Sequence, residues 1–229
     1  MKKHCLIIEP HSDDGAISVG GFLEKYRETY EYSFLLAVAS DLELKHSSFL
    51  TRKQRLDEFE TYVSHFNGKW LKPEFNDLSL PLDSDSLLDM FPRKNLVALI
   101  EMAIEQARPD VLMVTGPSFH HDHTAVYEAT IASLRPTATF LPNEVYILEN
   151  PTYVHSGNPI NRFTPDTYIS LNEVEIEKKI ENFKKFFPSQ VRKESNYLSP
   201  EGLKSWARYR GIESRTTYAE ALTTFFRKI

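Results

Sequence analysis

Two short stretches hold side chains able to do chemistry together. The first, "EPHSDDGAISVGG" at 9–21, places His11, Asp13 and Asp14 where a hydrophobic run ends. Adjacent carboxylates repel one another and gain nothing from a core, so a cation is their natural compensation. Residues three apart on a tight helical turn share a face. His11 and Asp14 can therefore address one ion while Asp13 projects elsewhere, toward an open coordination position. The second stretch, "FHHDHTAV" at 119–126, contains His120, His121 and His123, three of the chain's eight histidines, beside Asp122. His120 and His123 repeat the three-residue spacing, and Asp122 suits a carboxylate that accepts a histidine's second ring N–H and fixes its tautomer.

Each stretch has a plainer reading. Ser12 or Asp13 would make a good helix cap, and "HHDH" could be a solvated loop. Taken together they say more: His11, Asp14 and His123 offer two nitrogens and a carboxylate, and three protein ligands plus water is the pattern of catalytic zinc. Structural zinc favours four ligands rich in cysteine, whereas this chain has a single cysteine, Cys5. Iron or another divalent metal accepts the same donors.

The elements that must position these groups alternate strand-like and helical patterns, the signature of βαβ units and a mainly parallel sheet. "KHCLIIE" (3–9), "YSFLLAVAS" (32–40), "GKWLK" (68–72), "DVLMVTG" (110–116) and "EVYILEN" (144–150) read as strands. Helices are expected at 14–27, 52–66, 95–107, 124–134, 173–187 and 200–210, with a last one near 217–227. The pair Gly20–Gly21 suggests close packing of the first helix on the sheet. The Pro-rich stretch 151–165 reads as a long loop, and its Tyr153, His155 and Asn158 take no assigned role. In open parallel sheets ligands bind beyond the carboxyl ends of the strands. Both polar stretches fall there, so they are predicted to meet at one edge. The expected architecture is a single α/β domain over 1–229, Rossmann-like, its mainly parallel sheet flanked by helices and followed by a C-terminal helical segment.

The composition fits that reading. At 229 residues with 41% hydrophobic and 26% charged residues, the chain can bury one substantial core. A net charge of −5 disfavours nucleic acid or an anionic membrane as partner. No apolar run approaches the ~20 residues that span a bilayer, so membrane insertion is not expected. The apolar run near the start is too brief for a secretory signal, and Cys5 within it reads as a buried, inert thiol; a cytoplasmic location is the simplest expectation. Self-association is left open. Paired aspartates after a first strand also build the magnesium pocket of phosphoacceptor receiver domains. That alternative needs a further aspartate after a middle strand, which "GKWLK" does not offer, and it leaves "HHDH" without a task.

The motifs have a family resemblance. "PHSDDGAISVGG" resembles the "(A/P)HPDDE…GG" signature of the LmbE-like, or PIG-L, family of zinc-dependent N-acetylglucosaminyl deacetylases, and "RPDVLMVTGPSFHHDHTAVYEAT" resembles its "HxDH" motif. "RLDEFETYVSHFN" is similar to the family's "RxxE" helix, and "SQ" at 189–190 with "RYRG…YAEAL" at 208–222 is similar to its C-terminal pattern. The resemblance implies a Rossmann-like fold and hydrolysis of an acetamido group on a small N-acetylated sugar or sugar conjugate. His11, Asp14 and His123 are the implied zinc ligands, Asp13 the implied base, and His120 the implied partner of the oxyanion or leaving group. Arg55 falls at the implied substrate-binding arginine, with Arg52 one turn earlier as the alternative. Two positions depart from the pattern: Ser12 stands for proline, and Gly15 for the glutamate after the aspartates. The second change leaves a weakened or redirected activity open.

Overall fold

The computed structural model describes residues 2–41, 50–82, 88–151, 163–193 and 196–228. The elements run β1 (Lys3–Glu9), α1 (Asp14–Lys25), β2 (Tyr30–Leu36), α2 (Arg52–His65), β3 (Lys69–Trp70), β4 (Glu74–Phe75), β5 (Leu78–Ser79), a 3₁₀ turn (Leu88–Met90) and α3 (Arg93–Ala107). They continue through β6 (Val111–Thr115), α4 (His121–Ser133), β7 (Glu144–Leu148), β8 (Thr167–Leu171), α5 (Glu173–Phe186), α6 (Pro200–Ser214) and β9 (Tyr218–Arg227). Seven strands form one sheet in the order β3-β2-β1-β6-β7-β9-β8. The first five pair in parallel, while β9 runs antiparallel to both β7 and β8. The short β4 and β5 pair separately, joined by Asn76 and Asp77 at φ 47° and 63°. Asn and Asp tolerate that left-handed backbone better than most residues.

Alternation along the central strands explains the layering. Cys5 and Ile7 of β1 join the core beneath α1, α2, α5 and α6, whereas Leu6 and Ile8 join the core beneath α3 and α4. Val111 and Met113 of β6 repeat the first set, Leu112 and Val114 the second. Strands covered on both faces read as continuous apolar runs, which is why β1 and β6 stand out in the sequence. Burial also pushes the Cys5 thiol up, with Glu144 adding to the effect, consistent with an inert core sulfur.

The final element corrects an expectation. The segment near 217–227 is not a helix but the ten-residue strand β9, inserted between β7 and β8. Tyr218–Leu222 is rich in helix formers, yet all five residues are buried within the sheet, and the pairing gained on both sides overrides local propensity. Its other partner, β8, was not among the expected strands, and 152–162, most of the stretch expected as a long loop, lies outside the described residues. Tyr153, His155 and Asn158 lie outside the described residues.

Strand β9 also shapes α1. The helix is broken at Val19 (φ −133°, ψ 22°), and the amides of Gly21 and Phe22 just beyond donate to the two carboxyl oxygens of Glu220, at 2.8 and 2.7 Å. Lys179 of α5 donates to the same carboxylate at 2.6 Å. A Cβ on Gly21 would lie 2.4 Å from Leu171 Cδ1, so the expected close approach is real and is made to β8 and β9.

Candidate metal centre

Strand order reverses between β1 and β6. From β1 the chain moves outward through β2 and β3, then returns to place β6 on the other side. The crevice beyond the carboxyl ends at such a switch is the general ligand position of open α/β sheets. His11–Asp14 leaves β1 there, Ser118–His123 leaves β6, and Asn150 follows β7. Arg55 enters from α2, the helix after β2.

Three donor atoms converge. His11 Nδ1 lies 3.2 Å from His123 Nε2 and 3.4 Å from Asp14 Oδ2, and His123 Nε2 lies 3.4 Å from that same oxygen. Bonds of about 2.0–2.1 Å at tetrahedral angles separate ligand atoms by roughly 3.3 Å. The triangle thus has the dimensions of one face of a zinc tetrahedron, and the donor set fits a divalent ion. His11, His120 and Asp122 form a second close group, but there the Asp122 carboxylate is bonded to the His11 ring itself. Oδ1 accepts the Leu88 amide at 2.9 Å, and Oδ2 lies 3.0 Å from His11 Nε2. With its Nε2 proton held by a carboxylate, His11 turns Nδ1 toward the triangle; a ligating histidine is commonly oriented this way.

The electrostatics match that arrangement. Burial works against charge on His11, but the bonds to Asp122 and Asp14 outweigh it and raise the imidazole to about 9. Burial lowers His123, fully enclosed at 0% exposure, to about 4, leaving it neutral. Burial would raise Asp14, yet His123 and His11 hold it well below the usual carboxylate range. Asp13 moves the other way: burial and then the Asp14 charge raise it, against the pull of Arg55. His120 is lowered by burial and by His11, and Asp122 is held down chiefly by its bond to His11 against the effect of burial.

The helix-cap reading of the first stretch loses its basis. Asp13 occupies the cap position of α1 but makes no side-chain capping bond, and the Ser12 hydroxyl has no hydrogen-bond partner among the described residues. In the second stretch His120 does cap α4, its Nδ1 accepting the Asp122 amide at 3.3 Å. The neutral ring must then carry its proton on Nε2. Its ring centroid lies 4.5 Å from that of His11. Arg55 is buried, with one guanidinium nitrogen 3.4 Å from the Ser40 carbonyl and Nε without a partner among the described residues. Arg52, at the start of α2, is more exposed, and it is the charge of Arg55 that acts on His11 and Asp13.

Sequence reading missed two groups. Asn150 donates to Asp14 Oδ1 at 2.6 Å, and the His11 amide donates at 2.9 Å to Oδ2, the oxygen that faces the triangle. Its neighbour Glu149 accepts from Arg210 Nε and Trp206 Nε1 at 2.9 and 3.0 Å, which anchors the end of β7 to α6. The other is Glu9, buried beneath the Asp13–Asp14 turn and bonded to the Gly15 amide at 2.7 Å. Of the later motif matches, Glu58 of the "RxxE" helix holds the Ser189 hydroxyl at 2.6 Å, tying α2 to the "SQ" segment.

Residues 6–134, more than half of the chain, match the family described as PIG-L: GlcNAc-PI de-N-acetylase, and the chain belongs to that family. Among solved structures, the A40926 pseudoaglycone deacetylase Dbv21 aligns with a TM-score of 0.70 and 17% identity over 100% of both chains. The N,N'-diacetylchitobiose deacetylase from Pyrococcus horikoshii gives 0.69 and 17% over 97% of this chain and 84% of that one. GalB, the 4-carboxy-2-hydroxymuconate hydratase from Pseudomonas putida KT2440, gives 0.68 and 16% over 100% of this chain and 98% of that one. Identities this low establish the shared fold alone. No curated protein sequence matches the chain. Among the described residues, no helix is long and apolar enough to cross a membrane.

Proposed function

We propose that the protein is a metal-dependent deacetylase that hydrolyses the acetamido group of an N-acetylated amino sugar or its conjugate. The observation that carries this reading is the triangle of His11, Asp14 and His123 donor atoms, with edges of 3.2, 3.4 and 3.4 Å. Family membership and the neighbours named as deacetylases support it. Zinc, or another divalent ion such as Fe²⁺, held by these three residues would lower the pKa of a water toward ~7 and polarise the acetamide carbonyl.

The chain's own groups supply the rest. Asp13 accepts the proton of the attacking water as its oxygen bonds to the carbonyl carbon; the raised basicity of this carboxylate suits the task. The same proton passes to the nitrogen as the C–N bond breaks, leaving the amine and acetic acid; the acid's remaining proton then goes to the amine, so an ammonium group and acetate are the products. His120 presents Nε2–H to the carbonyl oxygen as negative charge develops, a role worth about 3 kcal/mol. Asp122 keeps His11 in the ligating tautomer, and Arg55 offers its buried guanidinium to the polar groups of the substrate.

Acetate release from a panel of N-acetylated sugars and conjugates, read by mass spectrometry with metal content measured in parallel, tests the reading. Asp13→Asn should retain the ion and lose roughly 10²–10⁴ of the turnover; undiminished turnover would reject Asp13 as the base. Gly15 favours a second reading, a relative whose activity is redirected to another amide or lost. Stoichiometric metal with no acetate from any compound of the panel would select it.

A further inference from the structure

The departure at Gly15 has a partner six residues earlier. Glu9 ends β1 on the same face as Cys5 and Ile7, at 0% exposure, a costly place for a carboxyl group without a task. Its Oε2 accepts the Gly15 amide at 2.7 Å, and its Oε1 has no hydrogen-bond partner among the described residues. A Cβ built on Gly15 would lie 2.7 Å from both Glu9 Cδ and Oε1, and 2.9 Å from Oε2. The Glu9 carboxyl therefore fills the space in which any side chain at 15 would begin, and the two cannot coexist without a shift. Immediately before Gly15 stand Asp13 and Asp14, whose backbone this bond fixes in the first turn of α1.

We propose that Glu9 is a positioning residue for the ion site: its carboxyl, delivered from the end of β1, replaces a carboxyl carried by residue 15 and holds the Asp13–Asp14 turn in register with His11 and His123. Glu9 and Gly15 are thus a coupled pair: a side chain at 15 enters only where the Glu9 carboxyl gives way. The proposal rests on the metal-centre reading above and adds to it a residue that touches neither ion nor substrate.

Zinc affinity, measured by competition with a chromophoric chelator and independent of turnover, tests this. Glu9→Ala should weaken zinc binding 10- to 100-fold, the usual consequence of removing a group that orients ligands. Glu9→Gln, which keeps an acceptor for the Gly15 amide, should stay within about threefold of the parent. The double variant Glu9→Ala/Gly15→Glu should recover most of the loss. It also serves as the decisive arm should Glu9→Ala fold poorly, because it refills the space from the other side. Unchanged zinc affinity in Glu9→Ala, or a double variant no better than Glu9→Ala, would overturn the coupled pair while leaving the metal centre standing. A parent protein that binds no zinc, cobalt or ferrous ion would remove both.

Discussion

At the scale of single residues, the centre is a contest between burial and charge that leaves each group in a defined state. His11, raised to about 9, is cationic at neutral pH when no ion is bound, whereas His123, lowered to about 4, is neutral and Asp14 is ionised. An incoming ion must therefore displace one proton, from His11. Raising the pH removes that proton, so affinity should climb about tenfold per unit up to roughly 9 and then level. Calorimetric titration of zinc near pH 7.5 in buffers of different ionisation enthalpy should report about one proton released per ion. A buffer-independent heat would contradict the assignment of His11. These states were only partly legible in the sequence. Spacing showed that His11 with Asp14, and His120 with His123, can share a face. It could not show Asn150 bonded to Asp14 across 136 positions, nor Glu9 bending beneath the turn. Both read as ordinary residues at strand ends, because what recruits them is the fold and not a motif.

At the scale of elements, the break in α1 is held by a carboxylate from a different part of the chain. Glu220 receives two backbone amides of α1 and the ammonium of Lys179, and both ionisable side chains are nearly inaccessible. Removing one partner of a buried pair costs about 3–5 kcal/mol, because the remaining charge is left without compensation. The two amides still serving Glu220 should keep the loss at the low end, so Lys179→Met is expected to destabilise by about 3 kcal/mol in a urea titration. A change below 0.5 kcal/mol would show that the amides suffice alone. The same strand marks the limit of reading elements from local pattern. β1 and β6 were legible because they are apolar on both faces. β9 carries Ala219, Glu220, Ala221 and Leu222, a helical composition, and owes its conformation to β7 and β8. Only the threonines and phenylalanines at 223–226 hinted at a strand.

At the scale of the molecule, the ion and the fold should stabilise one another. The ligands lie after β1 and within α4, and Asn150 ties them to the end of β7, so an ion bound there would fasten three connections at once. A ligand at 100 times its dissociation constant adds about 2.7 kcal/mol to the folded state. For a chain of this size that corresponds to a rise in Tm of roughly 5–10 °C. Treatment with a chelator should lower Tm by that amount, and added zinc should restore it; indifference to both would count against a site in the native protein. The insertion of β9 carries a further consequence, for biosynthesis. Among the described residues, strand β8 pairs with the rest of the sheet only through β9, which follows the other described elements along the chain. A nascent polypeptide growing at about 5–20 residues per second can assemble β1, β2, β6 and β7 early. Its β8 must wait for a strand to pair with, and the Gly21 and Phe22 amides of α1 for their acceptor, until the ribosome has released Glu220 and the residues around it.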